Sequence, residues 1–101
     1  MTYPEYPDQD TQKADHPLQS VFDAVIHQAQ HGKGNERHGN GKPFMQQPWV
    51  DLADTHGRGF LTGQAAKKLQ EAQSMEGERW EREMLGAIAY AMMAVLHRRS
   101  K

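Results

Sequence analysis

The pattern of apolar and polar residues predicts four helices and shows no convincing strand alternation. Apolar residues recur at helical spacing over residues 17–31, 48–56, 60–75 and 78–99. A break of two residues separates the last two helices, which favours an antiparallel hairpin. We therefore expect an all-α fold, in which a helical hairpin and two shorter helices assemble as a homo-oligomeric bundle.

Proline and glycine mark the expected helix ends. Asp15 and Pro17 suit the start of the first helix, and Pro48 opens the second. Gly57 closes the second helix and turns the chain. In the third helix one apolar face is expected to be buried, formed by Leu61, Ala65, Leu69 and Ala72.

The last helix is apolar on every side between Leu85 and Leu96. A helix of that kind must be surrounded by other protein. It is far shorter than the roughly 20 residues that a membrane span needs. The third helix covers one side and the first two helices a second, so we expect further copies of the chain to cover the rest.

Composition limits the classes of protein to consider. With 101 residues the chain is long enough for one domain. We expect a flexible tail at 1–15 followed by a single helical domain at 16–101. The absence of cysteine and of a secretory signal predicts a cytoplasmic protein. A net charge of -1 argues against a general nucleic-acid binder, and no membrane partner is expected.

A loop over residues 32–47 is rich in glycine and locally basic, and it is the best candidate site in the sequence. Its glycines allow backbone N–H groups to approach an anion, and Arg37 can form two parallel bonds to a phosphate. A polar connector with turn residues is the alternative interpretation. The predicted ligand-binding residues are Lys33, Arg37, His38, Asn40, Lys42, Trp49, Gln64 and Lys68.

Neither a metal site nor a catalytic group is predicted. His27 and His31 have the spacing that can place two imidazoles on one metal, but no third ligand accompanies them. Glu71, Glu78 and Glu81 resemble a magnesium cluster, yet acids are expected near a turn and a helix start for other reasons. No nucleophile–base pair or cofactor motif is evident, so we favour a binding protein over an enzyme.

The segment from Gly59 to Tyr90 resembles a family of small proteins from tailed phages, some of which are described as nucleotide kinases. One matching element is Gly59-Phe60, two residues, then Gly63-Gln64-Ala65-Ala66-Lys67-Lys68; the other ends in Ala87-Ile88-Ala89-Tyr90. Basic residues usual in the family are replaced by Glu71, Leu85 and Gly86. The resemblance implies a phage or prophage origin, a bacterial host and nucleotide-related ligands.

Three functions follow as hypotheses. The first is a small phage-type protein that binds a nucleotide or another phosphorylated small molecule and sequesters a host signal, an anti-defence role. The second is a protein–protein inhibitor or adaptor that uses its tail and an exposed helical face against a host complex. The third is a nucleotide pyrophosphohydrolase or kinase.

Overall fold

The computed structural model describes residues 16–31 and 41–101, and every regular element in that part of the chain is helical. A short 3-10 helix occupies Phe44–Gln46. The predicted all-α fold is confirmed, whereas the predicted tail at 1–15, the cap at Asp15 and most of the predicted loop lie outside the described residues. The four α-helices are α1 (Leu18–His31), α2 (Pro48–His56), α3 (Gly59–Ala72) and α4 (Gly77–Arg99).

Helices α3 and α4 form the antiparallel hairpin expected from their short connection. Leu61, at the start of α3, is fully buried in a cluster that packs against Tyr90 and Met93 of α4. Two turns later on α3, the Nζ atom of Lys68 lies 3.2 Å from Oε1 of Glu83. Contacts that advance along α3 therefore move backwards along α4, which defines the antiparallel direction.

Helix α2 begins and ends where its proline and glycine predict. Pro48 occupies the first turn, and Gly57 stops the helix with a φ of 85°. That left-handed conformation is accessible to glycine at little cost. Because α3 starts only two residues later, the end of α2 and the start of α3 are held close together.

The core lies where α2, α3 and α4 meet. Trp49 and Ala53 of α2 pack with Leu61 of α3. The indole N–H of Trp49 donates to the carbonyl oxygen of Phe44 at 2.9 Å, and the two rings lie 5.3 Å apart. The 3-10 helix is therefore attached to the core through this tryptophan.

Helix α1 packs against α4. Val25 is buried, and the side-chain amide of Gln28 donates to the carbonyl oxygen of Arg82 at 2.9 Å. Much of the apolar surface of α1 nevertheless stays in contact with solvent. Its exposed apolar residues are Leu18, Val21, Phe22 and Ile26.

The buried face predicted for α3 is wrong at one position. Leu61 and Ala72 are buried, but Leu69 is 47% exposed. At 3.6 residues per turn, Lys68 lies about 20° from Leu61 around the helix and Leu69 about 80°. Helix α4 approaches on the Lys68 side, where Gly86 leaves room for the lysine, so Leu69 turns outward.

The apolar segment of α4 is covered on two sides and open on a third. Gly86 and Ala87 are buried, whereas Ile88 and Val95 are 37% and 50% exposed. None of the described helices is both long and apolar enough to cross a membrane. The open side faces solvent in a single copy.

Candidate functional site

An open pocket of about 490 Å³ lies where the end of α2, the turn before α3 and the carboxyl end of α4 meet. It is a shallow depression open to solvent, not an enclosed cavity. Short connections position two of its three sides, because Gly57 and Arg58 alone join α2 to α3. The residues that line it are Ala53, Asp54, Gly57, Arg58, His97 and Lys101.

His97 is the buried centre of this pocket, with only 4% of its surface exposed. Its Nδ1 atom accepts a hydrogen bond from Nε of Arg58 at 3.0 Å, and its Nε2 atom lies 2.7 Å from Oδ1 of Asp54. An arginine nitrogen can only donate, so Nδ1 carries the lone pair and the ring proton sits on Nε2. In this arrangement Nε2 donates to Asp54.

Asp54 joins the histidine to the last residue of the sequence. The Nζ atom of Lys101 lies 2.8 Å from Oδ1 of Asp54. Hydrogen bonds from Lys101 and from His97 hold the pKa of the Asp54 carboxyl below its ordinary value of 3.8. The carboxylate is thus paired with Lys101, and the guanidinium of Arg58 lies on the other side of His97.

Arg58 is oriented through its Nε atom, which leaves its two terminal amino groups without a partner among the described residues. It directly precedes α3, whose first turn contains no acidic residue and no capping side chain. The N-terminus of a helix carries a partial positive charge. A guanidinium and the positive end of the α3 dipole therefore lie together at the edge of the pocket.

The sequence-predicted ligand residues are dispersed in the structure. Four of them lie outside the described residues: Lys33, Arg37, His38 and Asn40. Lys42 is exposed, and its carbonyl oxygen accepts a hydrogen bond from the side-chain amide of Gln47 at 3.0 Å. The contribution of this loop stays a prediction.

The remaining predicted ligand residues lie on α2 and α3. Trp49 is buried in the core. Gln64 is half-buried, and Lys68 forms its ion pair with Glu83 between the two helices of the hairpin. None of these three lines the pocket around His97.

The alternative metal positions lie on α1, α3 and α4. The rings of His27 and His31 lie 4.9 Å apart on α1. Within residues 16–31 and 41–101, no three histidine or carboxylate side chains are arranged to hold a metal ion. Glu71 instead lies 3.9 Å from Nζ of Lys67 on the same helix.

Sequence reasoning missed the four polar residues of the pocket. Asp54 and His97 lie 43 residues apart, and Arg58 and His97 lie 39 apart. Asp54 and Arg58 are only four residues apart in the sequence. Their closeness is the only local feature that indicates this pocket.

No protein-family model matches this chain, and no curated protein or solved structure is significantly similar to it. The resemblance to small tailed-phage proteins over Gly59 to Tyr90 therefore stays a prediction.

Proposed function

We propose that this protein binds a phosphorylated small molecule, of which nucleotides are the leading class, and that it does so as a homo-oligomeric helical bundle. The observation that carries the ligand proposal is the state of Arg58. Its Nε atom donates to His97, while its terminal amino groups have no partner among the described residues and lie next to the start of α3.

This arrangement suits a phosphate group. A guanidinium can donate two parallel hydrogen bonds to phosphate oxygens, and the partial positive charge at the start of α3 adds to the attraction for an anion. Gly57 lines the pocket without a side chain, so a ligand can approach the backbone closely. The guanidinium of Arg58, which has no carboxylate partner among the described residues, favours an anion over a neutral molecule.

The oligomer is supported by the apolar surface that a single copy leaves exposed. Ile88 and Val95 of α4 are exposed, as are Leu18 and Phe22 of α1. Each large apolar side chain removed from water contributes roughly 1.5–3 kcal/mol. Large apolar side chains exposed on two helices therefore favour an interaction surface.

Native mass spectrometry of untagged protein tests both parts together. We expect a mass that is a multiple of the single chain, with a retained anionic ligand that released-ligand analysis identifies. Titration calorimetry with a panel of nucleotides, cyclic dinucleotides and inorganic phosphate then gives the affinity of each.

A pair of arginine variants assigns the ligand to the pocket. R58A is expected to weaken binding by at least about tenfold, which corresponds to about 1.4 kcal/mol. R79A is the matched control, because Arg79 is exposed on α4 and does not line the pocket. Unchanged affinity in R58A, or an equal loss in R79A, contradicts the proposed site.

A protein-binding role is the second candidate, and the exposed face of α1 favours it. Leu18 is 66% exposed and Phe22 47% exposed on a helix that contacts the rest of the chain mainly through α4. An adaptor or inhibitor would use this face to bind a host protein. Capture of one stoichiometric protein that is lost in L18E/F22E, with no nucleotide retained, favours this candidate over the first.

The use of the ligand is a separate hypothesis. Sequestration of a host signal, a phage-type origin and a bacterial cytoplasm all derive from the resemblance of Gly59 to Tyr90. Turnover of a nucleotide that is lost in K68A or E71A would instead favour the pyrophosphohydrolase or kinase hypothesis. Lys68 and Glu71 are occupied by ion pairs with Glu83 and Lys67.

A further inference from the structure

We infer that the exposed side of α4 binds the same side of a second copy, with the two helices antiparallel. This inference rests on the proposed homo-oligomer and names its interface. The surface involved, called the α4 apolar face below, consists of Trp80, Met84, Ile88, Ala91 and Val95.

The α4 apolar face is continuous along the helix. Its residues are three or four positions apart, so they lie in one row over four turns. Trp80 is 45% exposed, Ile88 37% and Val95 50%, while Met84 is half-buried. The spacing from Met84 to Val95 follows the seven-residue repeat by which paired helices interdigitate.

The same row is self-complementary when it is reversed. With a two-fold axis between Ile88 and Ala91, the large Ile88 of one copy lies opposite the small Ala91 of the other, and Met84 lies opposite Val95. A symmetric pair uses the same surface on both subunits, so each such contact occurs twice. Alternation of large and small side chains allows the two helices to approach closely.

Charge gives the direction of the pair. The first turns of α4 carry Glu78, Glu81 and Glu83, and its last turn carries Arg98 and Arg99. Glu81 and Arg99 are exposed and are five helical turns apart, so they border the α4 apolar face on the same side. In the antiparallel pair Glu81 of each copy lies opposite Arg99 of the other, whereas a parallel pair places like charges together.

Sedimentation of the full chain tests the interface. We expect the wild type to form a dimer or a higher even-numbered oligomer at micromolar concentration, and I88E and V95E each to weaken association at least tenfold. L69E is the matched control, because Leu69 is similarly exposed but lies on α3, outside the α4 apolar face. Circular dichroism checks that each variant is folded. If I88E does not fold, the comparison of V95E with the wild type tests the interface.

Disulfide formation tests the direction, since the chain contains no cysteine of its own. In the antiparallel pair an equimolar mixture of M84C and V95C forms cross-linked dimers. V95C alone does not, because its two sulfur-bearing positions lie about 16 Å apart along the helices. Rapid cross-linking of V95C alone overturns the antiparallel direction.

The outcomes separate this interface from the proposed function. If I88E and V95E associate as strongly as the wild type, the α4 apolar face is not the interface. The proposed homo-oligomer is not contradicted by that result. If the wild type is a monomer at micromolar concentration, the oligomer and this inference both fail. The ligand pocket is judged independently by the comparison of R58A with R79A.

Discussion

The side chain of Lys68 fills the space beside Gly86 at the crossing of α3 and α4. A Cβ atom added to Gly86 would lie 3.0 Å from Cδ of Lys68 and 3.3 Å from its Nζ atom. The contact involves the far end of a flexible side chain, which also reaches Glu83. The absence of a side chain at position 86 thus allows a lysine to lie between two packed helices.

Replacing Gly86 by alanine should change the free energy of unfolding by less than about 0.5 kcal/mol. Alanine is favoured over glycine inside a helix by about 1 kcal/mol, but Lys68 must move and its pair with Glu83 is disturbed. In a K68A background the same substitution should stabilise the protein by about 1 kcal/mol. Urea unfolding of the four variants measures this difference, and equal effects in both backgrounds would contradict the contact.

Replacing His97 by alanine should destabilise the fold by about 2–4 kcal/mol. The substitution removes a buried ring and the two hydrogen bonds that connect α4 to Asp54 and Arg58. H56A is the control, because His56 is exposed at the end of α2 and should cost less than about 0.5 kcal/mol. Thermal or urea unfolding of both variants gives the comparison.

The pair between Asp54 and Lys101 predicts how stability responds to acid. The folded state lowers the pKa of Asp54 from 3.8, chiefly through Lys101 and next through His97, so the carboxylate favours folding. That contribution is present above the unfolded value and is lost as the pH falls through the lowered value. The stability difference between the wild type and D54N should therefore be constant above about pH 5 and shrink below about pH 4.

The control for that measurement is D51N, one turn earlier on the same helix. Asp51 is exposed and does not line the pocket. Its difference from the wild type should show no such decline. If the stability difference from the wild type declined equally for D54N and D51N at low pH, the response to acid would come from the overall charge of the protein and not from the pair of Asp54 and Lys101.

Replacing Trp49 by phenylalanine should cost about 1–2 kcal/mol of stability. The indole N–H no longer satisfies the carbonyl oxygen of Phe44, and the core loses part of a large ring. W80F should cost less than about 0.5 kcal/mol at a dilution where the chain is monomeric, because Trp80 is 45% exposed. Urea unfolding at that dilution compares the two tryptophans.

The helices were predictable from the sequence because their signals are local. Pro48 and Gly57 act within a few residues of themselves, and they fix the bounds of α2. Which side of a helix faces its neighbour depends on residues far apart in the sequence. Leu69 was assigned to the core because it follows the spacing of Leu61, but the approach of α4 on the side of Gly86 decided which residue of α3 is covered.

The pocket was not predictable, because it exists only after α2, α3 and α4 have packed. Asp54 and Arg58 are ordinary surface residues in sequence terms, and a histidine at the end of a helix has an adequate explanation in the dipole. Only the packed structure shows that His97 is buried between them. The glycine-rich loop gave the stronger sequence signal and remains a separate prediction.

The position of α1 has a consequence for how the chain folds. Helices α2, α3 and α4 follow one another with connections of two and four residues, whereas the bond from Gln28 to Arg82 spans 54 residues. Closing short loops costs less chain entropy, so the three later helices should associate first and α1 should dock last. In hydrogen exchange, the amides of α1 should open with a lower free energy than those of α3 and α4, and without unfolding of the hairpin.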